Sequence, residues 1–179
     1  GLVMVVKLNL SVQYADSTYD WQSILPRPLM RRWVKAALQQ DARLTLRFVD
    51  EVEGRELNYT YRGKEYATNV LTFAYNDSDE FDDLPEEVRE QLTEQMDTDL
   101  IEADIILCGA VLAREADEQN KSILAHAAHL VVHGVLHAQG FDHIDDDEAE
   151  MMESLETQIL ARLGFDNPYM DSDSTRLEI

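Results

Sequence analysis

Apolar and polar residues alternate from Val3 to Tyr14, through Val5, Leu8, Leu10 and Val12, which is the two-residue period of a β-strand. The same period returns over Leu44 to Val49, and Thr68 to Tyr75 is rich in β-branched and aromatic residues. Ile101 to Cys108 predicts a fourth strand. Between these lie stretches with helical spacing. Pro26 to Gln40 keeps Pro28 in its first turn and repeats Leu29, Trp33, Ala36 and Ala37 on one side. Residues 17–23 read as loop, Gly54 as the end of the second strand or its turn, and Glu56 to Tyr61 as a short helix. Asn76 to Asp83 reads as an acidic loop, Leu84 to Met96 as a surface helix, and Gly109 to Glu118 as a further helix. Ser122 is a fitting N-cap for an apolar helix that ends near Ala138. Asp145 and Glu148 resemble a capping box at the start of the last helix, and Gly164 stops it after Leu163. Four strands with about five helices grouped late predict an α+β fold. The expectation is one domain over residues 1–165, built on a small four-stranded mixed sheet with helices on one side, and a loose polar tail over 166–179.

Charge changes the picture. The 179 residues carry a net charge of −21. Residues 1–68 hold 10 Lys and Arg against 8 Asp and Glu, whereas residues 69–179 hold 5 against 28. An acidic chain repels nucleic acid at long range, so contact with RNA has to come from the basic first third or through a partner. Arg27, Arg31, Arg32 and Lys35 lie off the apolar side of their helix and read as a solvated face before they read as an RNA contact. The lone Cys108 cannot form an internal disulfide and fits a reducing compartment. No apolar run has the length of a membrane span, and the first residues lack the charged flank of a signal peptide. The expectation is a cytoplasmic protein.

The chemistry concentrates between His133 and His143. His133 and His137 are one helical turn apart and can grip one ion. Gly140 can take the left-handed conformation that reverses the chain and brings His143 towards the pair. Three imidazoles with a fourth corner free for water are the layout of a catalytic zinc. The offsets match the H-E-x-x-H-x-x-G-x-x-H pattern of a large group of zinc proteases, except that Gly134 stands where those carry their glutamate base. His129 shares the face of His133 and His137 but is too far from His137 to join the same ion. It either supports a ligand, faces substrate, or packs. His126 reads as packing. The acidic run 145–148 is explained by helix capping and needs no second metal.

His133-Gly-Val-Leu-His137-Ala-Gln-Gly140-Phe-Asp142-His143 matches H-G-x-L-H-x-x-G-[YF]-D-H, and so resembles the YbeY family of bacterial endoribonucleases. Leu57-Asn58 with Tyr61-Arg62-Gly63-Lys64, the run Thr68 to Leu71 with Phe73, Asp104-Ile105 with Cys108, residues 146–150 and Asn167-Pro168-Tyr169 extend the resemblance from residue 43 onward. Ala103 replaces a usual glycine, and the acidic segment 76–98 resembles an insertion. The resemblance implies a zinc-dependent, single-strand-specific endoribonuclease that matures the 3′ end of small-subunit (16S) rRNA and removes defective ribosomes. It implies one Zn2+ on His133, His137 and His143, with Arg62 at the family's functionally important arginine. Its implied partners are single-stranded rRNA, the small ribosomal subunit with one of its proteins, and the GTPase Era. Arg62 would offer paired donors to phosphate, and Asp142 would orient a histidine or cap the turn. No residue declares itself as general base, and either water or the 2′-hydroxyl fits as nucleophile. A zinc peptidase and a non-catalytic assembly factor with a structural zinc stand as alternatives; Gly134 argues against the first and an open coordination corner against the second.

Overall fold

The alternating stretches form one four-stranded sheet. The computed structural model describes residues 5–75, 85–95, 100–142 and 145–169. Its strands are β1 (Leu8–Tyr14), β2 (Ala42–Val49), β3 (Val70–Ala74) and β4 (Ile101–Cys108). Its helices are α1 (Trp21–Ile24), α2 (Arg27–Ala37), α3 (Glu51–Arg62), α4 (Glu86–Gln95), α5 (Gly109–Glu118), α6 (Ile123–Ala138) and α7 (Asp146–Arg162). The sheet order is β1-β2-β4-β3. β1 runs parallel to β2 from Leu8 opposite Ala42, and β2 parallel to β4 from Ala42 opposite Ile101. β3 is antiparallel on the far edge, with Val70 opposite Leu107. This is the expected α+β fold on a mixed sheet, with seven helices among the described residues instead of about five. The expected acidic loop 76–83 and the residues beyond 169 lie outside the described residues, except that Asn167 to Tyr169 of the expected tail pack back onto α7.

Helices cover both faces of the sheet, not one. β4 turns Ala103, Ile105 and Leu107 into the main core with α2 and α6, and Ile106 and Cys108 into a second cluster with Val49, Leu71 and Val111. Leu57 of α3 packs against that second cluster. α3 is twice the expected length because Gly54 lies inside it. A Cβ on Gly54 would sit 3.3 Å from the Cys108 sulfur, so the glycine lets the helix approach β4. Asp50 caps α3 by accepting from the Glu53 amide at 2.8 Å. Two arginines of the expected solvated face of α2 cover the open edge of β1: Arg27 donates to the Val12 carbonyl and Arg31 to that of Leu8, each at 3.1 Å. Covered carbonyls blunt an edge that would otherwise pair with another strand.

α6 runs through the interior. Ser122 caps it by accepting from the Ala125 amide at 3.0 Å. Its far end closes as expected at Gly140, whose φ is +96°. The Phe141 amide donates to the Leu136 carbonyl at 3.1 Å and that of Gly140 to His137 at 3.0 Å, the paired bonds of a left-handed helix stop. Against the sheet, α6 comes so close that a Cβ on Gly134 would lie 2.8 Å from Cγ2 of the fully buried Ile105. Gly134→Ala should therefore destabilise the protein by about 1–3 kcal/mol through overpacking, even though alanine favours an exposed helix by about 1 kcal/mol. Urea unfolding reads the sign; unchanged or higher stability would mean that α6 has room to move back.

Candidate functional site

Four histidines, His126, His129, His133 and His137, recur along α6, and three of them are buried. Each is tied to a different degree. His126 is fully buried, as its packing role requires, and its Nε2 lies 2.9 Å from Glu115 Oε1. Asn69 Nδ2 donates to the same oxygen at 3.1 Å, which joins the start of β3 to α5 and α6. Burial raises the Glu115 carboxyl, but the hydrogen bonds from His126 and Asn69 outweigh it and hold the group below its ordinary range.

The centre of the arrangement is Glu156 of α7, a fully buried carboxylate. His133 Nδ1 bonds its Oε1, His129 Nε2 lies 3.1 Å from its Oε2, and the Tyr169 hydroxyl also bonds Oε2. Burial pushes the Glu156 carboxyl up, yet the hydrogen bonds from His129 and His133 reverse this and take it down to about 2. An ionised carboxylate only accepts, so the facing ring nitrogens must carry the protons. His133 is thereby fixed with Nδ1–H towards Glu156, and a neutral ring then has its Nε2 bare. That bare Nε2 faces His137 Nε2 at 3.0 Å. Burial also holds the His129 ring below the ordinary histidine range, which keeps it neutral beside its neighbours.

Two imidazole nitrogens on one cation of tetrahedral geometry stand about 3.3 Å apart. The His133–His137 pair is within a few tenths of an ångström of that spacing, and a carboxylate holding the outer nitrogen is the usual support of a metal-bound histidine. The chemistry of these donors thus fits a divalent metal. The third expected ligand, His143, lies outside the described residues. Among the described residues no three His, Cys, Asp or Glu side chains are grouped to hold an ion.

His137 opens onto a cleft of about 1050 Å³. Tyr61 and Arg62 of α3 line it, with β3, Asp104 of β4 and the turn residues Phe141 and Asp142. Arg62 is the last residue of α3, followed by Gly63 in the left-handed conformation, and its side chain is exposed. Among the described residues no carboxylate pairs with it, whereas Arg47, on the same cleft, is taken by Glu53 at 2.7 Å. The rings of Tyr61 and Phe73 lie 4.6 Å apart along one wall. Beside them the Tyr75 hydroxyl bonds Asp104, which raises the tyrosine to about 12. The structure thus brings Arg62, His137 and Asp142 to one cleft and sets His129 behind the pair, away from it. Among the described residues no helix is long and apolar enough to cross a membrane.

The histidine motif does not single out Glu156 or Tyr169. For Glu156 a readable signal exists: it interrupts the apolar stripe of α7 formed by Met152, Ile159 and Leu160, which are buried with it. A carboxylate in such a stripe needs buried donors. For Tyr169 the signal was the Asn-Pro-Tyr run itself.

The profile of the family described as Endoribonuclease YbeY matches residues 11–164. Endoribonuclease YbeY of Herminiimonas arsenicoxydans is 59% identical over 166 residues, covering 93% of this chain and 97% of that protein. Endoribonuclease YbeY of Janthinobacterium sp. (strain Marseille) is 58% identical over 165 residues, with 92% and 96% covered. The solution structure of TM1509 from Thermotoga maritima is similar at 23% identity and a TM-score of 0.47, covering 93% of this chain and 99% of that one. Matched over nearly its whole length by the profile and by these relatives, the chain belongs to the YbeY endoribonuclease family.

Proposed function

We propose that this protein is a zinc-dependent endoribonuclease that cuts single-stranded RNA, with the ion on His133, His137 and His143. The observation that carries the reading is the pair of Nε2 atoms 3.0 Å apart, locked from behind by ionised Glu156 and opening onto a cleft lined by the exposed Arg62. The relatives are named endoribonucleases, which supports the same activity here. When bound, zinc on neutral imidazoles supplies its full double charge and Lewis acidity to a phosphodiester.

The chain's own residues bind and orient the substrate. Arg62 presents a guanidinium fork to a phosphate and to the charge that grows on it during cleavage. The Tyr61 ring, 64% exposed, offers its face to an unpaired base. Bases within a duplex are already stacked, so an aromatic wall favours single strands. His129 and Glu156 hold His133 in one orientation and tautomer. We further propose, on the family resemblance, that the substrate is the 3′ end of 16S rRNA in the cytoplasm, with the small ribosomal subunit, one of its proteins and the GTPase Era as partners. These partners suit a chain whose net charge of −21 disfavours free RNA.

The peptidase alternative is disfavoured by packing as well as by sequence. Even a Cβ at position 134 would lie 2.8 Å from Ile105 and 3.3 Å from Val70, so the close contact of α6 with the sheet leaves no room there for a glutamate.

Cleavage of a defined single-stranded RNA and of its duplex by nuclease-free, zinc-loaded protein tests the activity. His137→Ala should abolish both stoichiometric zinc by elemental analysis and cleavage; retained zinc would remove His137 from the ligand set. Arg62→Glu should keep its zinc and lose about 10²–10³-fold in turnover, and unchanged turnover would take Arg62 out of the reaction. Tyr61→Ala should raise KM for single strands by about 5- to 150-fold, the value of one base stacked on an aromatic ring, with kcat nearly kept. A loss confined to kcat would count against stacking.

A further inference from the structure

After α7 the chain turns at Gly164 and comes back along the helix. Asn167, Pro168 and Tyr169 each have a distinct contact there. Asn167 Oδ1 accepts from the Tyr169 amide at 2.8 Å, closing a tight side-chain turn, and lies 3.4 Å from the Thr157 hydroxyl on α7. The Pro168 carbonyl accepts from Lys121 Nζ at 3.4 Å, which ties the turn to the start of α6. Tyr169 is thereby set edge-on against His129, with ring centroids 5.3 Å apart. Its hydroxyl bonds Glu156 Oε2 and lies 3.1 Å from His129 Nε2.

A carboxylate rotates about its last bond unless both oxygens are held. Oε1 of Glu156 has His133, and Oε2 has His129 and Tyr169. Of these donors only Tyr169 comes from outside α6, so it holds Oε2 from a different direction than the two imidazoles of α6. A hydrogen bond to a buried charge is also stronger than one between neutral groups. We propose that Tyr169 is a positioning residue: its hydroxyl fixes the plane of the Glu156 carboxylate, which in turn fixes the rotamer and the bare Nε2 of His133. The Asn-Pro-Tyr segment is then part of the metal centre's support. The inference rests on the reading of His133 and His137 as metal ligands.

The test uses the full chain as wild type, Tyr169→Phe, Glu156→Gln and the double variant, at a denaturant-free condition where urea curves show each to be folded. Zinc affinity is read by competition with a chromophoric chelator, and ligand geometry by the visible spectrum of the cobalt-substituted protein. Wild type should bind one ion. Tyr169→Phe should bind it about tenfold more weakly and shift the cobalt bands, with metal-free stability close to wild type. In the double variant, removing the hydroxyl should cost little beyond Glu156→Gln alone, because Tyr169 acts through that carboxylate. If wild type binds one ion and Tyr169→Phe matches it in affinity and spectrum, the positioning role is wrong while the ligand reading stands. Additive losses in the double variant, or an affinity loss that only tracks lost stability, would equally overturn it. If wild type binds no ion, the ligand reading fails and takes this inference with it.

Discussion

A carboxylate buried without water has to be surrounded by donors or give up its charge. Glu156 keeps its charge because two imidazoles and a phenol converge on it from two separate parts of the chain. This convergence joins α6, α7 and the segment after α7 into one unit. It also decides the protonation of His133, since an acceptor on one side of a neutral ring leaves the lone pair on the other. The tautomer of His133 is thus set from the side of the ring that faces away from His137.

The same helix is held from its other side by contact distance. With no side chain at position 134, α6 lies almost directly on Ile105, and the Thr72 hydroxyl reaches the Gly134 carbonyl at 3.3 Å. This approach places His137 at the end of a cleft walled by β3 and α3. One glycine therefore serves two purposes: it sets the height of the imidazole pair above the sheet, and it removes the place from which a protease of similar ligand spacing would deliver its base.

Much of this was legible along the chain because local rules dominated there. The Ser122 cap, the reversal at Gly140, the Asp145 cap and the strand Ile101–Cys108 all follow from nearest-neighbour chemistry. The errors came where a distant contact overrides a local preference. Gly54 reads as a breaker, but closeness to Cys108 keeps it inside α3. α1 is too short for any period to register. The second apolar face of β4 was hidden because a strand buried on both sides loses its alternation. Of the site, the histidine pair was visible as a residue type at a spacing and Arg62 through the family resemblance, whereas Glu156 lies on another helix, and only the folded chain shows what it faces.

The strand registers also bear on how the molecule comes into being. Leu8 meets Ala42, and Ala42 in turn meets Ile101, so the two parallel ladders link points far apart in the chain. Such pairings require large loops to close before any contact rewards them, which makes acquisition of the native state slow and cooperative. The β2–β4 ladder bridges the longest stretch of chain, and α6 packs on the sheet that it completes. The imidazole pair on α6 therefore depends, for the surface it rests on, on strands that lie far apart along the chain.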